Sequence, residues 1–389
     1  MSWPEAYATA RDTAKPLASE LTPVVEATGR VLAAAVRCER PVPAFDNAAM
    51  DGYAIAGDGP WTVRGRVLAG HAVDGERLLP GTAVEIATGA LLPAGAEAVL
   101  PYEDCRIENN LVTELRDPPG VRPAEARTAP RRRRHIRRAG DALSPGTLIA
   151  PAGRIVTATV AAAALQAGAE QVLAHRQPTV TMLVTGDEVI TEGTPGPGRV
   201  RDIFTGLVTA ITARAGGRME TSRRLPDDPG TLGEALAGAC SDVIVVSGSS
   251  SAGAADHLHR LLTEANATWL VRGVACRPGH PQALAALPDG RFVASLPGNP
   301  YAGLVAALTL LEPLVAALAG RPPTALPVAT VTGPAKLMPG GVRIVPVGPG
   351  GDLAAAGSVG LHAAAVAGTL AVLPDAWTDG DPAVILTVP

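Results

Sequence analysis

Aromatic residues are scarce in this chain: three Phe, four Trp and four Tyr make 3% of 389 residues. Its cores must therefore be built from Ala, Val and Leu, within a hydrophobic content of 47%. Lysine is almost missing, since Lys15 and Lys336 stand alone among 33 basic residues. A formal charge of −4 argues against a protein built as a whole for nucleic acid. The cysteines Cys38, Cys105, Cys240 and Cys276 form no C-x-x-C pair and have no His at zinc spacing. A reduced compartment and no zinc site are expected. The longest apolar stretch, Tyr301 to Ala319, contains Glu312-Pro313 and reads as a buried helix rather than a membrane span. The opening MSWPEAYATARD carries acids early and no apolar run, so no secretion signal and a cytoplasmic location are expected.

What is present is a set of three short apolar runs, each ending in a tight polar turn. Val180 to Val184 runs into Thr185-Gly186-Asp187-Glu188, Val243 to Val246 into Ser247-Gly248, and Phe292 to Leu296 into Pro297-Gly298-Asn299-Pro300. Runs without alternation suit strands buried on both faces, as in a parallel sheet. The turns at the carboxyl ends of such strands share one crevice, where ligands bind. Two of these turns offer backbone N–H groups to an oxyanion, and the first adds two carboxylates. That mixture points to a phosphate- or oxyanion-bearing ligand held with a divalent cation.

A chain of this length is expected to hold two to four domains. The first 37 residues read as helices, with Leu17, Leu21, Val24, Val25, Leu32 and Ala33 apolar, until Pro41-Val42-Pro43. Glycine and proline turns divide Phe45 to about Thr128 into short strands such as Trp61 to Val67 and Ala83 to Ile86. Arg131 to Arg138 is a solvated linker or face, or else a site for RNA or an acidic partner; no aromatics are interleaved for base stacking. Pro151 to Ala174 reads as helix, and Val/Ile strands beyond Arg321 suggest a small barrel. The expected units are 1–45 with 138–176, a β-rich lobe at 46–137, an α/β core at 177–322 and a β-barrel at 323–389.

Six motifs occur in order: FDNAAMDGYA from Phe45, IATGALLPAGAEAV from Ile86, LVTGDEVITEG from Leu183, VVSGSSSAGAAD from Val245, CRPGHP from Cys276 and SLPGNP from Ser295. Together they resemble the molybdopterin molybdenumtransferase family, which includes the C-terminal domain of gephyrin. The resemblance implies a Rossmann-like core of the molybdopterin-binding type. It also implies an enzyme that inserts molybdate into adenylylated molybdopterin, releasing AMP with the help of Mg²⁺. A homodimer formed through the 1–45 and 138–176 unit is implied, with molybdopterin adenylyltransferase as a further partner. Neither membrane nor nucleic acid is expected as a partner.

Site roles follow from the matching motifs. Asp187, Glu188, Asp202 and Asp256 would position Mg²⁺ or polarise the adenylate linkage. Thr185, Gly186, Ser247, Gly248, Pro297, Gly298, Asn299 and Pro300 would hold pterin and phosphates, chiefly through backbone N–H groups. Arg277, with Pro278, Gly279 and His280, would face phosphate or molybdate oxygens. Asp51 and Thr88 would enter from the partner subunit, and Arg343 and Ser358 would line the molybdate side. Other readings stand beside these. Asp202 could pair with Arg199 or Arg201, Asp256 could cap the helix containing Leu258 and Leu261, and Arg343 could belong to a solvated face.

The chain also departs from the family pattern. A glycine is replaced by Ser249, an acid by Ala254, a Ser-Asn pair by Ile203-Phe204 and a lysine by His280. Gly140-Asp141-Ala142 stands where Gly-Glu-Asp is usual. Loss of a fixed cation at 280 costs roughly 10²–10³ in rate, by analogy with removing an oxyanion donor. Beside the active transferase therefore stand a paralogue that binds the pterin, the nucleotide or a partner protein without efficient turnover, and a molybdopterin adenylyltransferase. The lobe and terminal unit argue against the last, because that enzyme resembles the core alone.

Overall fold

A computed structural model describes residues 1–71, 77–115, 134–248, 257–354 and 360–389. The chain opens with α1 (Trp3–Thr13), where the Glu5 carboxylate accepts from the N–H and hydroxyl of Ser2 at 3.0 and 2.7 Å. Its buried face carries Trp3, Ala6 and Ala10. The helical expectation fails beyond Thr13. Pro16 and Pro23 break the pattern, and β1 (Ser19–Pro23) pairs antiparallel with residues 171–175. Val24 and Leu32 are buried as expected, whereas Leu21 and Val25 are 67% and 71% exposed.

The β-rich lobe is present. β2 (Gly52–Ala56), β3 (Trp61–Val67), β4 (Thr82–Ile86), β5 (Ala98–Pro101), β6 (Cys105–Glu108) and β7 (Leu111–Glu114) form one sheet, ordered β5-β2-β4-β3-β7-β6. Arg134 reaches Glu114 at 3.4 Å and Asp104 at 3.8 Å, and Arg138 pairs with Asp46. Those two members of the arginine run are thus engaged by acids of their own chain, while Arg131 to Arg133 lie outside the described residues. α2 (Ala158–Gln166) is capped by the Thr157 hydroxyl, which accepts from the Val160 N–H at 3.2 Å. Helix does not continue to Ala174 as the alanine-rich composition implied. Residues 171–175 form β8 (Gln171–His175), where Val172 and Ala174 are buried with the period of two of a strand.

The α/β core confirms the three runs as strands. Its elements are β9 (Thr179–Thr185), α3 (Phe204–Arg214), β10 (Arg218–Leu225), α4 (Pro229–Gly238), β11 (Val243–Ser247), α5 (His257–Glu264), β12 (Thr268–Arg272), β13 (Cys276–Arg277), β14 (Ala283–Ala286) and β15 (Phe292–Leu296). The sheet runs β10-β9-β11-β15-β14-β12; the first four strands are mutually parallel, and β14 pairs antiparallel with both β15 and β12. Every residue of β9 and β11 is buried. Alternate residues feed two cores: Val180, Met182, Val184, Val243 and Val245 on one face, Leu183, Ile244 and Val246 on the other. Among the parallel strands, the order second-first-third-fourth in sequence places a topological switch point between β9 and β11.

A nineteen-residue apolar helix at 300–318 packs on the first of these cores, with 83% of its most apolar window buried inside the protein. It comprises α6 (Pro300–Ala306), a π-helical turn (Ala307–Leu311) and α7 (Glu312–Leu318). It is long and apolar enough to cross a membrane, but its burial is that of a core helix. Trp3 donates through Nε1 to the Thr309 hydroxyl at 3.0 Å, which ties α1 to this helix. The C-terminal unit adds β16 (Val328–Thr330), β17 (Val342–Val347), α8 (Leu361–Ala367), β18 (Thr369–Pro374) and β19 (Pro382–Thr387). They join β13 in a five-stranded sheet ordered β13-β17-β18-β19-β16. The core therefore lends one strand to the terminal unit, and that shared sheet brings Arg277 towards it.

Candidate functional site

The turns after β9, β11 and β15 enclose a cavity of about 240 Å³. Its walls include Thr185, Glu188, Asp202, Ser247, Gly248, Gly298 and Pro300. The structure therefore brings together the acidic and oxyanion-loving turns that the sequence marked. A larger cavity of about 820 Å³ lies against α1 and the long helix. No motif residue lines it, so the smaller cavity is the better candidate for chemistry.

Close backbone approach shapes the smaller site. The Thr185 hydroxyl donates to the Ser247 carbonyl at 2.7 Å, tying two strand ends together. Gly248 has φ +96°, and a Cβ there would lie 2.7 Å from the Thr185 carbonyl oxygen. Its N–H is not free, because it donates to the Leu296 carbonyl at 3.3 Å. The expectation of an open N–H cradle also needs correcting at Asn299. Its side-chain oxygen accepts from the N–H groups of Tyr301 and Ala302, both at 3.1 Å, and so caps α6. Pro297 and Pro300 have no N–H, which leaves those of Gly298 and Asn299 without acceptors among the described residues.

The acids divide by role. Asp202 pairs with neither Arg199 nor Arg201. It caps α3 instead, with Oδ1 accepting from the Phe204 N–H at 2.8 Å and the Thr205 N–H at 3.3 Å, and Oδ2 from the Thr205 hydroxyl at 2.5 Å. Asp187 is largely exposed, with its carboxylate 3.6 Å from Arg224. Glu188 is different. Its carboxylate folds over Gly186, where a Cβ would lie 2.7 Å from Oε2, and among the described residues it has no donor. Phe204, where the family pattern is polar, lines the cavity and lies against Gly303, which has no room for a Cβ.

Asp256 and Ser358 lie outside the described residues, as does the alternative capping role of Asp256. Among the described residues, no three His, Cys, Asp or Glu side chains assemble as a metal cage. Asp187, Glu188 and Asp202 alone thus do not complete the four-acid set expected for Mg²⁺. Mg²⁺ keeps several waters and commonly takes only one or two carboxylates beside substrate phosphates. An exposed Glu188 with no donor among the described residues fits that lesser demand.

Two arginines stand in register on the side of the terminal unit. Arg277 and Arg343 are register partners across the parallel pair β13–β17, and neither has a carboxylate partner among the described residues. Like charges side by side in a ladder repel, and an anion between them relieves the repulsion. Arg343 is half-buried, and its charge opposes the upward pressure of burial on the Tyr301 hydroxyl. Pro278 and Gly279 follow Arg277 directly. His280 Nδ1 lies 2.8 Å from the Val274 carbonyl and must donate, since a carbonyl only accepts.

Asp51 and Thr88 face each other within the lobe. Asp51 Oδ1 accepts from the Thr88 N–H at 2.7 Å and from its hydroxyl at 3.0 Å, bonds that hold the exposed carboxyl below its ordinary value. Neither lines the cavity. Arg224 and Asp227, which bond the turn at 186–187, were missed in the sequence, and Arg199 was expected near Asp202 rather than on this turn. The only signal was the charged Arg223-Arg224-Leu225-Pro226-Asp227-Asp228 at the end of a strand.

The match to known proteins covers the lobe and the core turns that enclose the cavity. Residues 1–168 match the family model for the MoeA N-terminal region, domains I and II, and residues 181–317 match that for a probable molybdopterin binding domain. The molybdopterin molybdenumtransferase of Nostoc sp. is 30% identical over 316 residues, 78% of this chain and 70% of that protein. Molybdopterin molybdenumtransferase 1 of Mycobacterium tuberculosis is 32% identical over 327 residues, 77% of this chain and 74% of its own length. In fold, a molybdopterin biosynthesis MoeA protein of Pyrococcus horikoshii superposes with TM-score 0.73 at 24% identity, covering 100% of this chain and 98% of that one. With three of the six motifs at the ends of three adjacent strands, the chain belongs to the molybdopterin molybdenumtransferase family.

Proposed function

We infer that this protein inserts molybdate into adenylylated molybdopterin and releases AMP, completing molybdenum cofactor synthesis in the cytoplasm. The observation that carries this reading is the crevice itself. Among the described residues, an exposed carboxylate without a donor, two backbone N–H groups without acceptors and a pair of arginines without carboxylate partners suit a phosphoanhydride and a tetrahedral dianion.

Gly298 and Asn299 would donate N–H groups to phosphate oxygens. Arg277 and Arg343 would hold molybdate, and His280 would turn Nε2 outward beside them. Glu188, with Asp187 and Asp256, would hold Mg²⁺, whose charge would offset that developing on the phosphoanhydride. Asp51 and Thr88 fit a role across a homodimer interface, because they lie away from the cavity of their own chain. The chain would divide into a 1–45 with 138–176 unit, a lobe at 46–137, a Rossmann-like core at 177–322 and a barrel-like unit at 323–389, with β13 shared between the last two. Molybdopterin adenylyltransferase, which makes the adenylylated substrate, is the natural partner.

Calorimetric titration with adenylylated molybdopterin and molybdate tests the assignment of the arginines. Arg277→Ala is expected to weaken the ternary affinity about tenfold or more, the cost of one charged hydrogen-bonding group. Unchanged affinity would remove Arg277 from the site. Tight binding by the unaltered protein without any AMP release would favour the paralogue that binds without turnover.

A further inference from the structure

The turn at 186–188 is gripped from behind by two guanidinium groups. Arg224, next to last in β10, donates through Nη2 to the carbonyl oxygens of Gly186 and Asp187, both at 3.1 Å. Arg199 donates through Nη1 to the same Asp187 carbonyl. On the other side of the turn, the Asp187 N–H donates to Asp227 Oδ2 at 3.4 Å.

A trans peptide is planar, with its C=O and N–H pointing in opposite directions. Drawing the Asp187 carbonyl towards the arginines therefore turns the Glu188 N–H the other way. That N–H has no acceptor among the described residues, and Glu188 lines the cavity. Gly186, at φ +135°, has no side chain to restrict the turn, so the hold on its shape comes from outside it. A planar fork of donors suits two neighbouring carbonyls, whereas an ammonium is a single point of charge.

We propose that Arg224 is a positioning residue for the transferase reaction: it locks the 187–188 peptide so that the Glu188 amide and carboxylate face the anionic substrate together. This rests on the crevice being the substrate site. Arg223 supplies an internal control. It adjoins Arg224 on the strand, its side chain leaves from the opposite face, and no bond to it is recorded among the described residues.

The test compares Arg224→Ala, Arg224→Lys and Arg223→Ala by two measurements on the full-length protein. In hydrogen exchange without ligand, Arg224→Ala is expected to speed exchange of amides 186–189 about tenfold, with the lysine variant between it and the parent. In molybdate-dependent AMP release, Arg224→Ala is expected to lower kcat about tenfold with KM changed less than about threefold, because the group misplaced acts on the reacting centre. Arg223→Ala is expected to match the parent in both. Parent-like exchange and kcat in Arg224→Ala would overturn the proposal, as would an equal loss in Arg223→Ala. Should the parent release no AMP, the functional reading fails while the exchange arm still decides whether Arg224 holds the turn. If Arg224→Ala does not fold, the lysine variant decides: parent-like values overturn the proposal, and partial losses support it.

Discussion

At the residue scale, the same residue types serve two purposes, and geometry separates them. Asp202 and Asn299 were both expected to serve the ligand, yet their oxygens cap α3 and α6. Glu188 stands in an equivalent turn with no such duty. Glycine gives the sharpest residue-level test. Gly248→Ala would place a Cβ 2.7 Å from the Thr185 carbonyl at a φ of +96°. A loss of about 1–3 kcal/mol is expected, read as a lowered midpoint in denaturant unfolding, from left-handed strain and the displaced turn. A parent-like midpoint would mean that the two turns move apart freely. Motif order made the site's membership legible, but not the division of labour within it. Caps depend on which N–H groups a side chain meets after folding, and no spacing rule distinguishes Asp202 from Glu188.

At the element scale, the buried strands were readable because burial on both faces removes the alternation of charged or polar positions with apolar ones. β9 and β11 are accordingly buried throughout, with Thr and Ser the only polar types among Val, Ile, Leu and Met. The N-terminal segment was misread because β1 and β8 leave one face exposed and offer few apolar side chains to mark their period. The end of the sheet opposite the crevice is secured by Asp242. It takes a bidentate bond from Arg176 at 2.6 and 3.0 Å, and accepts from the Thr179 N–H and hydroxyl at 2.8 and 2.9 Å. Burial raises its pKa, but Arg176 and Thr179 outweigh burial and hold it below the ordinary 3.8. A depressed carboxyl contributes stability above its unfolded value, which is lost as pH falls through the folded one. Asp242→Asn is therefore expected to cost about 1–3 kcal/mol at neutral pH. The gap from the parent should narrow once pH drops below 3.8. Urea unfolding across that range measures it, and a gap independent of pH would contradict the account.

At the scale of the whole molecule, the core sheet fixes the crevice while the terminal sheet, through β13, carries Arg277 and Arg343 side by side. The lobe holds the Asp51–Thr88 pair apart from the cavity. This division was only partly legible. Composition and turn residues marked the lobe's short strands, but the strand shared between core and terminal unit is two residues long. So short a segment has no period to detect.

The central claim is that this crevice turns over its ligand, and the direct measurement is AMP release from adenylylated molybdopterin with Mg²⁺, with and without molybdate. The account predicts molybdate-dependent release by the parent, reduced by about 10²-fold in Glu188→Gln, as when one preorganised electrostatic group is removed. Bound adenylylated pterin with no AMP released in either protein, or equal release in both, would contradict it.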